Sequence, residues 1–376
     1  MKKLQTEVCG ITLNTPLLLG SGQITETPAF FLRSTLHGCS GMITRSLKKV
    51  VPTERKKTPA PRYAILDDHA SMLNCEMSNG QPWTRWRDKW VKEVQQAGFP
   101  IIISLSGRDI SGCSQLVKEF DQIGVTAFEI NVSCSHSGAL HGNLNIDFEH
   151  LRKLVSTARK ITKNAIWVKL SYSPWICEMA KIAEQNGADG IVTTNTVGPG
   201  LLIDTQTSKP RLGVRGGAGG LSGPAIFPIA LWCVYTVSQN VKIPVIGVGG
   251  ISNADNVIQM LMAGASAVQL YTKPALEGPE IFLPIVRDLK LFLEQHPEYV
   301  DIKSLVGLAH RWRKDNSFSA PCPTIDADCC VGCGECQRGC LFNAIALNPK
   351  AAIGPNCISC NACVGICPTT AIKATY

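Results

Sequence analysis

The sequence of 376 residues predicts an α/β chain, a parallel (β/α)8 TIM barrel followed by a small cysteine-built domain. Two observations carry that expectation. Eight short, β-rich apolar runs recur between residues 17 and 270, most of them separated by helical patterns. Ten of the 17 cysteines crowd into the 46 residues from Cys322 to Cys367, whereas seven are scattered upstream.

The runs are 17–20, 41–44, 100–105, 127–132, 166–170, 190–194, 244–248 and 267–270. Near-continuous apolar character is what parallel strands buried on both faces require. Segments 148–161, 175–186 and 255–263 have the length and apolar spacing of covering helices. Eight strands over this length fit a barrel, with a doubly wound sheet as the alternative. The barrel is expected to occupy residues 1–308, a charged, Pro-containing linker 309–325, and the second domain 326–376.

Apolar residues make up 45% of the chain and charged residues 18%, which allows an ample core in a soluble protein. No apolar segment has the look of a signal peptide or membrane span, so a cytoplasmic location is expected. The formal charge of +8 is modest for this length. It suits an acidic redox partner and gives little support to nucleic-acid binding.

Within the tail, Cys330-x2-Cys333-x2-Cys336-x3-Cys340 is followed by Cys357-x2-Cys360-x2-Cys363-x3-Cys367-Pro368. This is the spacing of two-cluster bacterial ferredoxins, in which three close thiolates cap one iron–sulfur cube and the fourth reaches the other. One [4Fe–4S] cluster is thus expected on Cys330, Cys333, Cys336 and Cys367, and a second on Cys357, Cys360, Cys363 and Cys340. A short apolar run follows each half, as an internal repeat would have it. Zinc would not need the third cysteine of each run, and disulfides conflict with a reducing compartment. Cys322 and Cys329 fall outside the pattern.

Polar residues and glycines gather just after the barrel runs, on the face where barrels build their sites. They include Gly20-Ser21-Gly22, Thr44-Arg45-Ser46, Asn131-Val132-Ser133-Cys134, Lys169 and Thr194-Asn195-Thr196. Gly247-Val248-Gly249-Gly250 follows the seventh run and Tyr271-Thr272 the eighth. Backbone N–H groups from those two turns are expected to form a phosphate site. No G-x-G-x-x-G fingerprint or P-loop is present, so the phosphate is assigned to flavin mononucleotide (FMN).

From Leu13 to Pro284 the chain resembles the dihydroorotate/dihydropyrimidine dehydrogenase family. Its matching stretches are Asn131-Val132-Ser133-Cys134-Ser135-His136, Trp167-Val168-Lys169-Leu170, Gly200-Leu201-Leu202-Ile203-Asp204, Gly219-Gly220-Leu221-Ser222-Gly223-Pro224 and Gly247-Val248-Gly249-Gly250-Ile251. The resemblance implies FMN with Lys169 at the N1/O2 edge of the ring, where a cation stabilises charge on reduction. It implies Ser21, Gly22, Arg45, Ser46, Asn74, Asn131, Ser222 and Gly223 around the ring and its chain, and Gly249, Gly250 and Thr272 on the phosphate. Cys134 would be the acid/base opposite the flavin, moving a proton beside the carbon that exchanges hydride. Asn74, Glu76, Asn131, Ser133, His136, Asn195 and Thr196 would hold a cyclic substrate.

Asn74-Cys75-Glu76, His136 and Thr194-Asn195-Thr196 resemble the dihydropyrimidine branch, closest to the FMN and iron–sulfur subunit of the bacterial dihydropyrimidine dehydrogenase. The short loop after Cys134 resembles the dihydroorotate branch. Arg45 stands where dihydroorotate dehydrogenases more often show a lysine, and Ser135 departs from the proline of both. The reading is an oxidoreductase of a pyrimidine-like C=C bond, its electrons exchanged through two clusters with an NAD(P)H-dependent flavoprotein or a ferredoxin. A dihydroorotate dehydrogenase, a reductase of another conjugated ring, and an electron-transfer component with a non-catalytic barrel stand beside it. Homodimers or hetero-oligomers are compatible with the family.

Overall fold

The computed structural model describes residues 2–49, 60–75, 81–132, 147–214, 216–314 and 321–375. They form two compact units, Met1–His310 and Arg311–Tyr376.

In the first unit eight parallel strands close a barrel in chain order. They are β1 (Leu17–Leu19), β2 (Met42–Ile43), β3 (Ile101–Ser106), β4 (Ala127–Asn131), β5 (Ala165–Leu170), β6 (Gly190–Thr193), β7 (Val245–Val248) and β8 (Ala265–Leu270). Each expected run becomes a strand, with ends moved by one or two residues. Closure comes from β8 pairing with β1 through Val268–Leu17 and Leu270–Leu19. A doubly wound sheet would leave those edges open, so that alternative is excluded.

Among the described residues, the longer helices that cover the strands are α1 (Ala29–Thr35), α2 (Val91–Gln96), α3 (Ile110–Asp121), α4 (Phe148–Ile161), α5 (Ile176–Gln185), α6 (Phe227–Ser238), α7 (Ala254–Met262) and α8 (Phe282–Gln295). Helix α4 shows why they form. Leu151, Leu154, Val155 and Ala158 repeat at helical spacing and are all buried. Asp147 caps the start by accepting from His150 N at 2.8 Å, and Arg159 and Lys160 complement the dipole at the end.

Side chains alternate between the helix layer and the lumen. At its N-terminal end the lumen is apolar, filled by Leu18, Ile43, Ile102, Ala127, Trp167, Val192, Ile246 and Ala267. A hairpin of Thr6–Val8 and Ile11–Leu13 adds Val8, Ile11 and Leu13 to that layer. Two residues further along four strands the inward position turns polar. Ser104, Glu129, Lys169 and Gln269 sit there, each buried.

Segments after β2 and β6 build a four-stranded antiparallel sheet that the sequence reading did not foresee. Its order is Val197–Gly200, Gly219–Ser222, Met72–Asn74, Tyr63–Ile65. It brings Asn74 and Ser222 to adjacent strands.

The second unit holds two short antiparallel ribbons and two short helices, Glu335–Arg338 and Ala362–Ile366. Part of the expected linker belongs to it. Thr324–Ile325 pairs with Ile372–Lys373, and Ile325 packs on the small core of Cys336, Ile345 and Ile372. That apolar burial is why the segment is ordered strand. Among the described residues, no helix is long and apolar enough to cross a membrane.

Candidate active site and thiol-lined hollows

At the C-terminal end of the barrel the polar lumen residues join in one network. Lys169 Nζ donates to Gln269 Oε1 at 3.2 Å and lies 3.6 Å from Glu129 Oε1. Gln269 Nε2 donates to Glu129 Oε2 at 2.7 Å, and Ser104 Oγ lies 3.3 Å from Glu129 Oε1. Ser46 Oγ is 2.9 Å from Ser104 Oγ and accepts from Asn131 Nδ2 at 3.2 Å. Asn195 Nδ2 then reaches Asn131 Oδ1 at 3.3 Å. A carboxylate can lie this deep because its oxygens are all engaged and a cation stands beside it.

Above the network opens a cleft of about 540 Å³, lined among others by Ser21, Lys169, Thr194, Ser222, Gly249 and Thr272. The turn after β7 carries Gly249 at φ +126° and Gly250 at φ +73°. A Cβ on Gly249 would stand 2.7 Å from Ala230 Cβ, and one on Gly250 2.8 Å from the Phe227 backbone N. Only glycine lets this turn lie so close to α6. The N–H groups of Gly249, Gly250 and Thr272 find no protein acceptor among the described residues. Thr194 Oγ1 is likewise buried without a partner among them. Donors converging beside a buried lysine suit a phosphorylated, anionic group with a polar ring edge.

Of the residues expected from sequence, Ser21, Lys169, Asn195, Thr196, Ser222, Gly223, Gly249, Gly250 and Thr272 line this cleft together. Asn131 and Ser46 lie in the network below it. Asn74 is buried on the antiparallel sheet, where its Nδ2 donates to Gly220 O at 3.2 Å. Gly22 does not line the cleft. A Cβ there would overlap the Tyr271 ring, at 2.0 Å from its nearest atom, so this glycine makes room for an aromatic. Arg45 Nη1 pairs with Glu26 Oε2 at 3.4 Å, both side chains largely buried. Glu76, Ser133, Cys134 and His136 lie outside the described residues.

Sequence reasoning missed Glu129 and Gln269, and named Thr194 only within the Thr194-Asn195-Thr196 run. A lone charged or amide residue inside an otherwise apolar strand was the available signal for the first two. Burial pushes the thiols of four upstream cysteines, Cys9, Cys39, Cys113 and Cys233, up to about 12.

In the second unit the eight patterned cysteines ring two hollows. Cys330, Cys333, Cys336 and Cys367 line one of about 310 Å³. Cys340, Cys357, Cys360 and Cys363 line the other, of about 510 Å³. The cysteines group in the two sets of four that the spacing suggested, the fourth of each run lying with the other run. Among the described residues, no His, Cys, Asp or Glu side chains converge closely enough to hold a single metal ion. The Cys330 thiol is held below its usual range by hydrogen bonds from the backbone of Ala351 and Gly332. Cys329 instead sits 3.4 Å from Asp326 Oδ2, which raises its thiol.

A closed eight-stranded parallel barrel with a polar cleft at the C-terminal strand ends defines the class as a (β/α)8-barrel protein with the layout of an enzyme. The profile of the family described as dihydroorotate dehydrogenase matches residues 3–293. The chain is 30% identical over 309 residues to the catalytic subunit of dihydroorotate dehydrogenase B (NAD(+)) from Pyrococcus furiosus, covering 82% of this chain and 99% of that one. It is 31% identical over 312 residues to the same subunit from Methanothermobacter thermautotrophicus, covering 82% and 98%. For that of Archaeoglobus fulgidus the values are 30% over 312 residues, 82% and 100%. The chain belongs to the dihydroorotate dehydrogenase family. The family match ends before the cysteine runs.

Proposed function

We propose that this chain is an FMN-dependent dihydroorotate dehydrogenase that carries its own two-cluster relay. The observation that carries the reading is the cleft itself: unengaged N–H groups on the glycine turn at one side, and Lys169 held by Gln269 at the other. The relatives are catalytic subunits of dihydroorotate dehydrogenases. They favour the dihydroorotate branch over the dihydropyrimidine branch that the sequence reading placed first.

Gly249, Gly250 and Thr272 would hold the FMN phosphate through backbone N–H groups, and Thr194 Oγ1 would find its missing partner on the same group. Lys169 would neutralise the ring edge where negative charge gathers on reduction. The bound flavin supplies a two-electron hydride acceptor. Asn131 and Asn195 orient the substrate ring by its amide edges. Cys134, as thiolate, takes the proton from the carbon adjacent to the one that loses hydride, which leaves the C=C bond of orotate. In a ferredoxin-like tail, Cys330, Cys333, Cys336 and Cys367 would hold one iron–sulfur cluster and Cys340, Cys357, Cys360 and Cys363 a second, which when bound would supply one-electron transfer. Their acceptor is a separate redox protein, and the relatives' description as NAD(+)-linked catalytic subunits suits such a partner.

A second reading, an uncharged dihydropyrimidine as substrate, draws on Arg45. Its guanidinium is engaged by Glu26, whereas a substrate carboxylate would call for a cation. Anaerobic turnover with an artificial electron acceptor separates the two. Orotate formed from dihydroorotate, with dihydrouracil unchanged, supports the first reading, and the reverse result replaces it with the second.

A further inference from the structure

The buried carboxylate of Glu129 ends a polar chain whose direction is fixed. A carboxylate only accepts, so Ser104 Oγ donates to Glu129 Oε1. The single hydroxyl hydrogen of Ser104 is then used, and the 2.9 Å contact with Ser46 has Ser46 as donor. Ser46 in turn accepts from Asn131 Nδ2, and Asn131 Oδ1 accepts from Asn195 Nδ2. On the other side Gln269 Nε2 donates to Glu129 Oε2, which turns Gln269 Oε1 toward Lys169 Nζ. One anion thereby orients the cofactor-side cation and both substrate-side amides. Every donor along both arms points toward it.

We propose that Glu129 is a positioning residue that sets the flavin potential through Lys169 and the substrate-binding face of Asn131 through Ser104 and Ser46. The inference rests on the flavin reading above. Two arms leave Glu129, so two readouts separate. Charge matters on the Lys169 arm: without the Glu129 anion the ammonium acts uncompensated and favours the reduced, anionic ring. Direction matters on the asparagine arm: once its terminal acceptor is lost, the Ser104–Ser46 chain no longer sets which way the Asn131 amide points.

The test is a dye-equilibrium titration of the flavin midpoint potential in the full-length, cluster-loaded chain, with KM and kcat for dihydroorotate measured alongside. Glu129→Gln is expected to raise the potential and Lys169→Gln to lower it, an opposition that a purely structural role would not produce. Glu129→Asp, which keeps the charge, should restore the potential. Ser104→Ala should leave it unchanged while raising KM about tenfold, as expected for one lost buried hydrogen bond. A flavin-loaded Glu129→Gln protein with the unaltered potential overturns the proposal. Should that variant not fold, an unchanged KM in Ser104→Ala overturns it instead. A wild-type chain that takes up no flavin sinks the parent reading, whereas flavin-loaded variants with unshifted values sink this inference alone.

Discussion

Lys169 Nζ stands 3.6 Å from Glu129 Oε1, with the two side chains only 6% and 0% exposed. A pair sealed this far from water is costly to break from one side, because the remaining charge is stranded. Lys169→Met is therefore expected to lower unfolding stability by about 3–5 kcal/mol. Chemical denaturation of the flavin-free protein measures this. The double variant Lys169→Met/Glu129→Leu should recover most of the loss without recovering flavin binding.

The glycine turn after β7 gives a second expectation. Gly249→Ala places a methyl group 2.7 Å from Ala230 Cβ at φ +126°. Strain of about 1–3 kcal/mol is expected there, together with loss of tight flavin binding. Gly124→Ala is the control. Its φ is also positive, at +71°, but nothing lies within 4 Å of the new methyl group, so flavin affinity should not change. Fluorescence titration of the apoprotein with FMN reads both.

The thiol-lined hollows predict a divisible iron content. Cys333 lines one hollow and Cys360 the other. Cys333→Ser should remove about half the iron of anaerobically reconstituted protein, and Cys333→Ser/Cys360→Ser nearly all of it. Bound flavin should be unaffected in both. Iron analysis beside flavin absorbance checks this, and zinc in place of iron would contradict it.

Alkaline pH should loosen the barrel from within. Burial raises the Cys39 thiol from 9.0 to about 12, so the folded state keeps a proton that the unfolded state releases. Its stabilising contribution is intact below pH 9 and is lost as pH rises toward 12. In that window each pH unit removes about 1.4 kcal/mol for such a group. Cys113 and Cys233 add losses of the same sign. Melting curves should fall steeply above pH 9, and Cys39→Ala should flatten the slope.

The barrel was legible because each of its strands is buried on both faces. Runs such as 244–248 therefore carry no competing polar residue. The antiparallel sheet was not: Met72–Asn74 and Gly219–Ser222 are short, and glycine gives the second no strand signature. The grouping of the thiols was legible in the cysteine spacing, since the two sets of four line separate hollows. Glu129 and Gln269 stayed hidden for the opposite reason. Each is one polar residue in an apolar strand, and only closure of the barrel sets their side chains 2.7 Å apart. Arg45 and Gly22 were expected in the site by resemblance; the structure pairs Arg45 with Glu26 and sets Gly22 against the Tyr271 ring.

The most direct test mixes the oxygen-free holoprotein with one equivalent of dihydroorotate while its absorbance is followed. The yellow flavin bands should fade within the mixing experiment and persist in Cys134→Ala protein carrying the same flavin and iron. A flavin that stays oxidised with dihydroorotate yet fades with dihydrouracil would contradict the account.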